Sequence, residues 1–347
     1  MSHFYPIAEE IGVLGAGAWG TALARHLCNK FGHVRLWAHE PEVVESINQS
    51  HENTRFLPGI PLPEALTATA DLQAFAQDLT LIVVVVPSHV LRGILESLAS
   101  FLKPGTPILC ATKGIEFGSL MTMSELIESV LGKWAHEKTC VLSGPSFALD
   151  VARGLATSVS LAGYDPALCV ALQHLVSNES FRAYTTHDVL GVELGGSLKN
   201  VIAIAAGACA GLDIGDNSMA AIVTRGLAEM TRLCVTLGGE ALTMSGLSGL
   251  GDLVLTCYGD LSRNRDLGFR LGRGESFENI QKTRVTVAEG VKTAQSAYAL
   301  AKKYDVDMPI ITCVYQGLYE GKTPEAVVQE LMARELKHEL EFPMKNS

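Results

Sequence analysis

Gly15, Gly17 and Gly20 stand in the spacing G-x-G-x-x-G, and each position asks for glycine for its own reason. The first turns the chain tightly, the second lets the backbone come up against a pyrophosphate, and the third lets a helix lie close on a strand. A helix opening at this point directs its unpaired N–H groups and the positive end of its dipole at phosphate charge. The same spacing also occurs in turns of purely structural use, so the surroundings decide. An apolar run at 11–14 precedes the glycines directly, and residues 21–27 follow with small and apolar side chains at helical spacing. Strand, glycine turn and helix together predict a site for a nicotinamide dinucleotide. In chains that select NAD, an Asp or Glu about 20 residues on closes the second strand and bonds the ribose hydroxyls. Here that strand, 34–37, runs into Ala38-His39-Glu40. His39 can approach a 2′-phosphate and Glu40 a ribose, or either can be a plain surface residue; the balance leans to NADPH over NADH.

The elements that must carry such a site follow from periodicity. Residues 81–86 form a wholly apolar, β-branched run ended by Pro87, the pattern of a strand buried on both faces of a parallel sheet. Residues 107–111 and 139–142 read as further strands, each followed by a turn and a helix-like stretch. Strands alternating with helices predict an α/β fold with a doubly wound parallel sheet of Rossmann type. After about residue 190 the alternation stops, and 193–210, 219–237, 291–304 and 324–335 carry helical periodicity. The expected division is a dinucleotide-binding domain over 1–190 and an all-helical substrate domain over 191–347. Residues 259–290, rich in Gly, Arg and Ser, are expected to be the only long irregular region. The longest uncharged helical run, 201–212, is shorter than the ~20 residues that span a bilayer, so a buried core helix is expected there and no membrane insertion.

Composition narrows the function classes. A chain of 347 residues exceeds what one hydrophobic core usually organises, in keeping with two domains. Its formal charge of −10 repels nucleic acid and anionic membranes, so an anionic ligand has to be held by a local basic cluster. The eight cysteines include no C-x-x-C pair, which predicts reduced core residues and no metal site. Glu9 and Glu10 with no basic cluster before them argue against an export signal, and a cytoplasmic protein is expected.

Six ordered motifs then carry a resemblance: residues 15–24 (Gly15-Ala16-Gly17-Ala18-Trp19-Gly20-Thr21-Ala22-Leu23-Ala24), Thr112-Lys113-Gly114, Ser143-Gly144-Pro145-Ser146-Phe147-Ala148, Leu198-Lys199-Asn200, Gly249-Leu250-Gly251-Asp252-Leu253 and Ser262-Arg263-Asn264-Arg265. Over nearly its whole length the chain resembles the bacterial NAD(P)-dependent glycerol-3-phosphate dehydrogenases. The resemblance implies interconversion of sn-glycerol 3-phosphate and dihydroxyacetone phosphate with NADP or NAD, supplying phospholipid synthesis. It implies Lys199 as proton donor and acceptor, and Lys113, Gly144, Ser146, Asp252, Ser262, Arg263 and Asn264 at substrate positions. Ala18, Trp19, His39, Lys113, Ala148, Arg263, Val287 and Glu289 fall on its cofactor positions, with Gly15, Gly17 and Gly20.

The chemistry of these residues stands beside that resemblance. Reducing a ketone needs a hydride and a proton delivered to the carbonyl oxygen as negative charge builds there. Lys199 can bring the proton if burial beside cations lowers its pKa; the plainer reading is a helix lysine whose stem covers apolar surface and whose head is in water. Asp252 can fix that ammonium, as a third catalytic group with Lys199 and Lys113, or can cap the segment 253–255. Thr256 and Asn200 can bond substrate hydroxyls or local backbone groups. Arg263 offers a planar fork to phosphate oxygens. Lys113-Gly114 and 143–146 can be plain turns, yet both follow predicted strands, where ligands bind in doubly wound sheets. Competing functions are a two-domain dehydrogenase of 3-hydroxy acids or a phosphogluconate, and a redox sensor that binds NAD(P) without turnover. A homodimer is the expected assembly.

Overall fold

The computed structural model describes residues 10–283, 288–336 and 338–339. Its strands are β1 (Ile11–Leu14), β2 (Val34–Trp37), β3 (Glu52–Asn53), β4 (Leu57–Pro61), β5 (Leu66–Thr69), β6 (Leu81–Val84), β7 (Ile108–Cys110), β8 (Thr139–Ser143), β9 (Thr157–Gly163) and β10 (Phe181–Thr186). Eight of them form one sheet in the order β10-β9-β8-β7-β6-β1-β2-β5, and β3 pairs with β4 alone. From β5 across to β8 all neighbours are parallel. The α/β class and the helical second half are as expected. The sheet is not parallel throughout: β9 runs antiparallel to β8 and carries β10 with it.

Burial explains which strands were legible. Every residue of β1, β6, β7 and β8 is buried, because helices cover both faces of the sheet. With side chains alternating across the pleat, Leu81 and Val83 join Ile11, Val13, Leu36 and Leu109 in one core layer. Ile82 and Val84 join Trp37, Ile108 and Cys110 in the other. The strands β5, β9 and β10, which the apolar runs do not reveal, alternate buried with partly or fully exposed residues near the sheet's edges.

The helical half is wound around Val189–Leu212, a helix of 24 residues. It is twice as long as the uncharged run at its end, because Glu193 and Lys199 lie within it, and it is long and apolar enough to cross a membrane by composition. In the fold, 89% of its most apolar window is buried inside the protein, as a core helix would be. The stretch expected to be irregular instead holds two helices, Arg263–Gly272 and Phe277–Thr283. Glycines on both partners explain how Arg263–Gly272 packs. A Cβ added at Gly207 or Gly211 would lie 2.0 or 2.3 Å from the carbonyl oxygens of Arg265 and Phe269, and one at Gly268 would lie 1.9 Å from that of Ile204. Backbone therefore lies on backbone, which brings Asn264 to within hydrogen-bond distance of Asn200.

Candidate active site

The glycine turn sits where the sheet changes direction, since β1 pairs with β2 on one side and β6 on the other. Ligands of doubly wound sheets bind outside the strand ends at such a point. Gly15 has φ +121°, closed to most side chains, and its N–H donates to the Trp37 carbonyl at 3.1 Å. A Cβ at Gly20 would fall 1.8 Å from the Gly15 oxygen, whereas one at Gly17 would meet nothing within 4 Å. Gly20 thus closes the turn while Gly17 leaves its backbone open to an incoming group. The helix Ala18–Phe31 begins here with no side chain capping its first N–H groups, and the Trp19 indole N–H is buried without a hydrogen-bond partner. These features fit the pyrophosphate of a dinucleotide. His39 is exposed beyond β2, its ring 6.2 Å from that of Trp37. Ala148 opens the helix Ala148–Ala152 and packs on the sheet core. Val287, like the residues before Glu10 that bear on an export signal, lies outside the described residues.

Three charged side chains from three elements converge across the two halves of the chain. Asp252, the first residue of the helix Asp252–Tyr258, lies within hydrogen-bond distance of both lysines. Lys113, on the loop after β7, donates to Oδ2 at 2.7 Å and to the Gly144 carbonyl at 3.3 Å. Lys199, from the central helix, donates to Oδ1 of Asp252 and to the Thr256 hydroxyl, the latter at 2.9 Å. Asp252 is not a helix cap: Gly251 holds that position. A π-helical turn, Leu247–Gly251, leads straight into the helix, and its Ser248 carbonyl lies where a Cβ at Gly195 would stand 2.5 Å away. The side chains of Lys199 and Asp252 are 8% and 1% exposed, so the ammonium is not a snorkelling surface group. Burial pushes the Lys199 amine down to about 7, helped by the nearby Lys113 charge and opposed by Asp252.

The remaining candidates gather around this triad. The Thr256 hydroxyl donates to the Asp252 backbone carbonyl at 2.6 Å, so its proton is used locally and its lone pair serves Lys199. Asn200 donates to Gly196 O at 3.4 Å and accepts from Asn264 Nδ2 at 3.0 Å; Asn264 in turn accepts the Gly290 N–H at 3.0 Å. Ser146 donates to Gly144 O at 2.9 Å. Ser262 caps the helix Arg263–Gly272 by accepting the Arg265 N–H at 3.2 Å, so the oxygen proposed for substrate already serves the backbone. Arg263 is exposed at that helix's first turn. Glu289 accepts from Ser88 Oγ at 2.9 Å, and burial raises its carboxyl while Ser88 and Arg263 oppose the rise. Sequence reasoning missed Ser88 and Ser197, whose hydroxyl accepts the Gly114 N–H at 2.9 Å; single serines carry no spacing signal. Among the described residues no group of His, Cys, Asp and Glu is placed to hold a metal, and the cysteines are all buried and unpaired.

Residues 10–169 match the family described as NAD-dependent glycerol-3-phosphate dehydrogenase N-terminus, and residues 188–329 match its C-terminus. The chain belongs to this family. A glycerol-3-phosphate dehydrogenase [NAD(P)+] of Geobacter sulfurreducens is 50% identical over 96% of this chain and 99% of its own length. One from Syntrophobacter fumaroxidans is 48% identical over 96% and 98%. Among solved structures, the glycerol-3-phosphate dehydrogenase of Coxiella burnetii superposes with a TM-score of 0.90 at 40% identity, covering 95% of this chain and all of that one. A D-mandelate dehydrogenase with NADH shares only the fold, with a TM-score of 0.62 at 16% identity over 92% of this chain and 99% of its own. The 3-hydroxy acid, phosphogluconate and sensor alternatives fall away with the family assignment, which carries the use of NAD or NADP with it.

Proposed function

We propose that this protein reduces dihydroxyacetone phosphate to sn-glycerol 3-phosphate with NAD(P)H, and catalyses the reverse, with Lys199 as the group that gives and takes the proton. The observation that carries this reading is the buried Lys199–Asp252–Lys113 cluster. A protonated lysine has three N–H donors; Asp252 and Thr256 occupy two of those on Lys199, which leaves one for the substrate's carbonyl oxygen. An amine held near 7 gives up and recovers a proton with little penalty at neutral pH, which suits a reversible reaction. Asp252 offsets two ammonium charges and aims both. Lys113 adds positive charge where an alkoxide develops, and Arg263 supplies a fork for the phosphate with Asn264 beside it. When bound at the Gly15–Gly20 turn, the nicotinamide cofactor supplies or accepts the hydride. Gly15, Gly17, Ala18, Trp19, Gly20, His39, Ala148 and Glu289 would hold it.

The reading extends to the rest of the expected biology: domains over 1–190 and 191–347, a cytoplasmic enzyme feeding phospholipid synthesis, and NADPH as the preferred reductant. A homodimer is part of the same reading, and Leu250, Val254, Tyr258 and Leu261, each exposed, are side chains it could cover. The test is an absorbance assay following NADPH and NADH separately with dihydroxyacetone phosphate and with unphosphorylated dihydroxyacetone. Strong preference for the phosphorylated ketone is expected. Equal kcat/KM for the two ketones would overturn the proposal.

A further inference from the structure

We infer that Arg92 and Glu116 are positioning residues that hold Lys113 in the site. The inference rests on the reading of Lys113 given above. Lys113 comes from residues 111–122, which connect β7 to the helix Met123–Leu131 without helix or strand of their own. Asp252 and Gly144 hold its ammonium, and where its backbone stands is set by whatever fastens this loop.

On the near side the loop is fastened by the Thr112 hydroxyl, which donates to Val86 O at 2.9 Å, and by the Gly114 N–H on Ser197. Ser296 then donates to Ile115 O at 3.0 Å, and the Ile115 side chain is buried in the core of the helical half. On the far side Leu120 and Met121 pack against the two cores and Thr122 caps the helix Met123–Leu131, and an ion pair holds the stretch between them and the lysine. Arg92 donates through Nε to one Glu116 carboxylate oxygen at 2.8 Å and through Nη2 to the other at 2.7 Å. This two-pronged geometry is the strongest and most directional form of ion pair. Glu116 is shielded, its side chain 14% exposed, and Ser119 also donates to it. The Glu116 N–H donates to Met121 O at 2.9 Å, and its carbonyl accepts from Leu120 at 3.0 Å, so residues 116–121 close into a compact loop around the carboxylate.

Arg92 itself stands on rigid ground. It lies in the helix Leu91–Leu98, directly after the turn that holds Ser88. Ser88 bonds Glu289, and its side chain lies 2.5 Å from where a Cβ on Gly114 would stand. The segment 88–92 thus touches the Lys113 loop at two points just after the lysine, Gly114 and Glu116. Releasing the Arg92 fork lets the loop relax away from that turn, with Thr112 and Ser197 still holding its near side. Lys113 is then displaced and not lost, and a displacement of ångström scale is enough to matter at a reacting centre.

The test compares Arg92→Ala, Arg92→Lys, Glu116→Gln, the exchanged pair Arg92→Glu with Glu116→Arg, and Lys113→Met as reference. Kinetics, cofactor affinity and thermal unfolding are measured on each purified full chain. Arg92→Ala should raise KM for dihydroxyacetone phosphate about tenfold and leave NADPH affinity within about twofold. Arg92→Lys should fall between, and the exchanged pair should recover part of the loss. A second readout separates positioning from mere folding. The charged and titratable groups around Lys199 are Asp252 and Cys257 from the helix Asp252–Tyr258 and Lys113 from the loop. Cys257 is buried and its thiol is pushed up to about 12, so it stays neutral. Withdrawing the Lys113 charge lets the Lys199 amine rise, so the alkaline fall in ketone reduction should move to higher pH in Arg92→Ala. Lower thermal stability with unchanged KM and pH profile would overturn the inference. If Lys113→Met shifts both and Arg92→Ala shifts neither, this inference alone fails; if Lys113→Met shifts neither, the reading of the site falls with it.

Discussion

Replacing Asp252 by Asn keeps the side chain's shape and takes away the one negative charge between two ammonium groups. At the 2.7 Å separation of Lys113 and Asp252, with an effective dielectric near 20, the lost attraction is roughly 6 kcal/mol before desolvation is counted. Breaking a buried pair costs about 3–5 kcal/mol in net terms. Protonated Lys199 loses this support and still faces Lys113, so its amine, already down to about 7 from burial, falls further. If only about 2.7 kcal/mol of the loss bears on that proton, the protonated fraction above neutrality drops roughly 100-fold. Ketone reduction needs the protonated amine, so its rate declines as pH rises through the Lys199 pKa. In Asp252→Asn that decline should begin at lower pH, with kcat near pH 7.5 reduced about 10²-fold and partly recovered toward acid. Initial rates of NADPH oxidation over a pH series measure both. Lys199→Met should lose about 10²–10⁴-fold, and the double variant much less than the product of the single losses. A kcat depressed equally at every pH, or independent multiplicative losses, would show that Asp252 does not act through the lysine's proton.

Three further outcomes follow from the same geometry. Arg263→Lys should weaken substrate binding by about 1–3 kcal/mol, because a point charge cannot replace a two-pronged contact to phosphate; KM for dihydroxyacetone phosphate reads it. Glu229 accepts the N–H groups of Ile310 at 2.7 Å and Ile311 at 3.2 Å, and burial pushes its carboxyl up to about 7 despite those bonds and nearby Arg232. A carboxyl raised above its unfolded value stabilises the fold below about pH 4.3 and loses that contribution as pH rises through about 7. Thermal unfolding should therefore depend less on pH between about 5 and 8 in Glu229→Gln than in the parent; an unchanged slope would refute the shift. Gly268→Ala places a Cβ 1.9 Å from the Ile204 carbonyl and should destabilise by about 2–4 kcal/mol, with the denaturation midpoint as the measure.

How much of this was legible varies with the physics behind each feature. The cofactor turn could be read because three glycines at fixed spacing answer three separate steric demands, and the structure shows two of them as contacts at Gly15 and Gly20. The inner strands could be read because burial on both faces leaves continuous apolar runs such as β6. The outer strands could not, since Arg182 and Tyr184 in β10 are exposed and alternation over six residues is a weak signal. The helix Arg263–Gly272 was hidden by its own composition: three arginines and two glycines in ten residues read as loop. The signal that would have found it is Gly268-x-x-x-Gly272 facing Gly207-x-x-x-Gly211, a pair of small-residue ridges four apart on both helices. Charge cannot be read this way. Nothing in the spacing of 113, 199 and 252 says that one carboxylate meets two lysines, because those contacts span 139 and 53 residues.

The glycines and the lysine's chemistry are linked by burial. Lys199 sits near neutrality chiefly because it is buried, and it is buried because backbones approach the central helix on several sides. At Gly195 a Cβ would collide with the Ser248 carbonyl before Asp252's helix could seat, and at Gly196 it would meet Ser143 Oγ at 2.3 Å and the Lys113 stem at 3.5 Å. Side chains at those two positions would hold Asp252 and Lys113 away from Lys199 and let water in. With more water the desolvation that depresses the amine weakens, and the lysine returns toward an ordinary ammonium that seldom releases its proton. Helix propensity argues against two adjacent glycines in the middle of a long helix, at about 1 kcal/mol each relative to Ala. Their presence is explained by what must come close to them, so the pair of glycines four and three residues before Lys199 belongs to the proton-transfer site as much as the charges do.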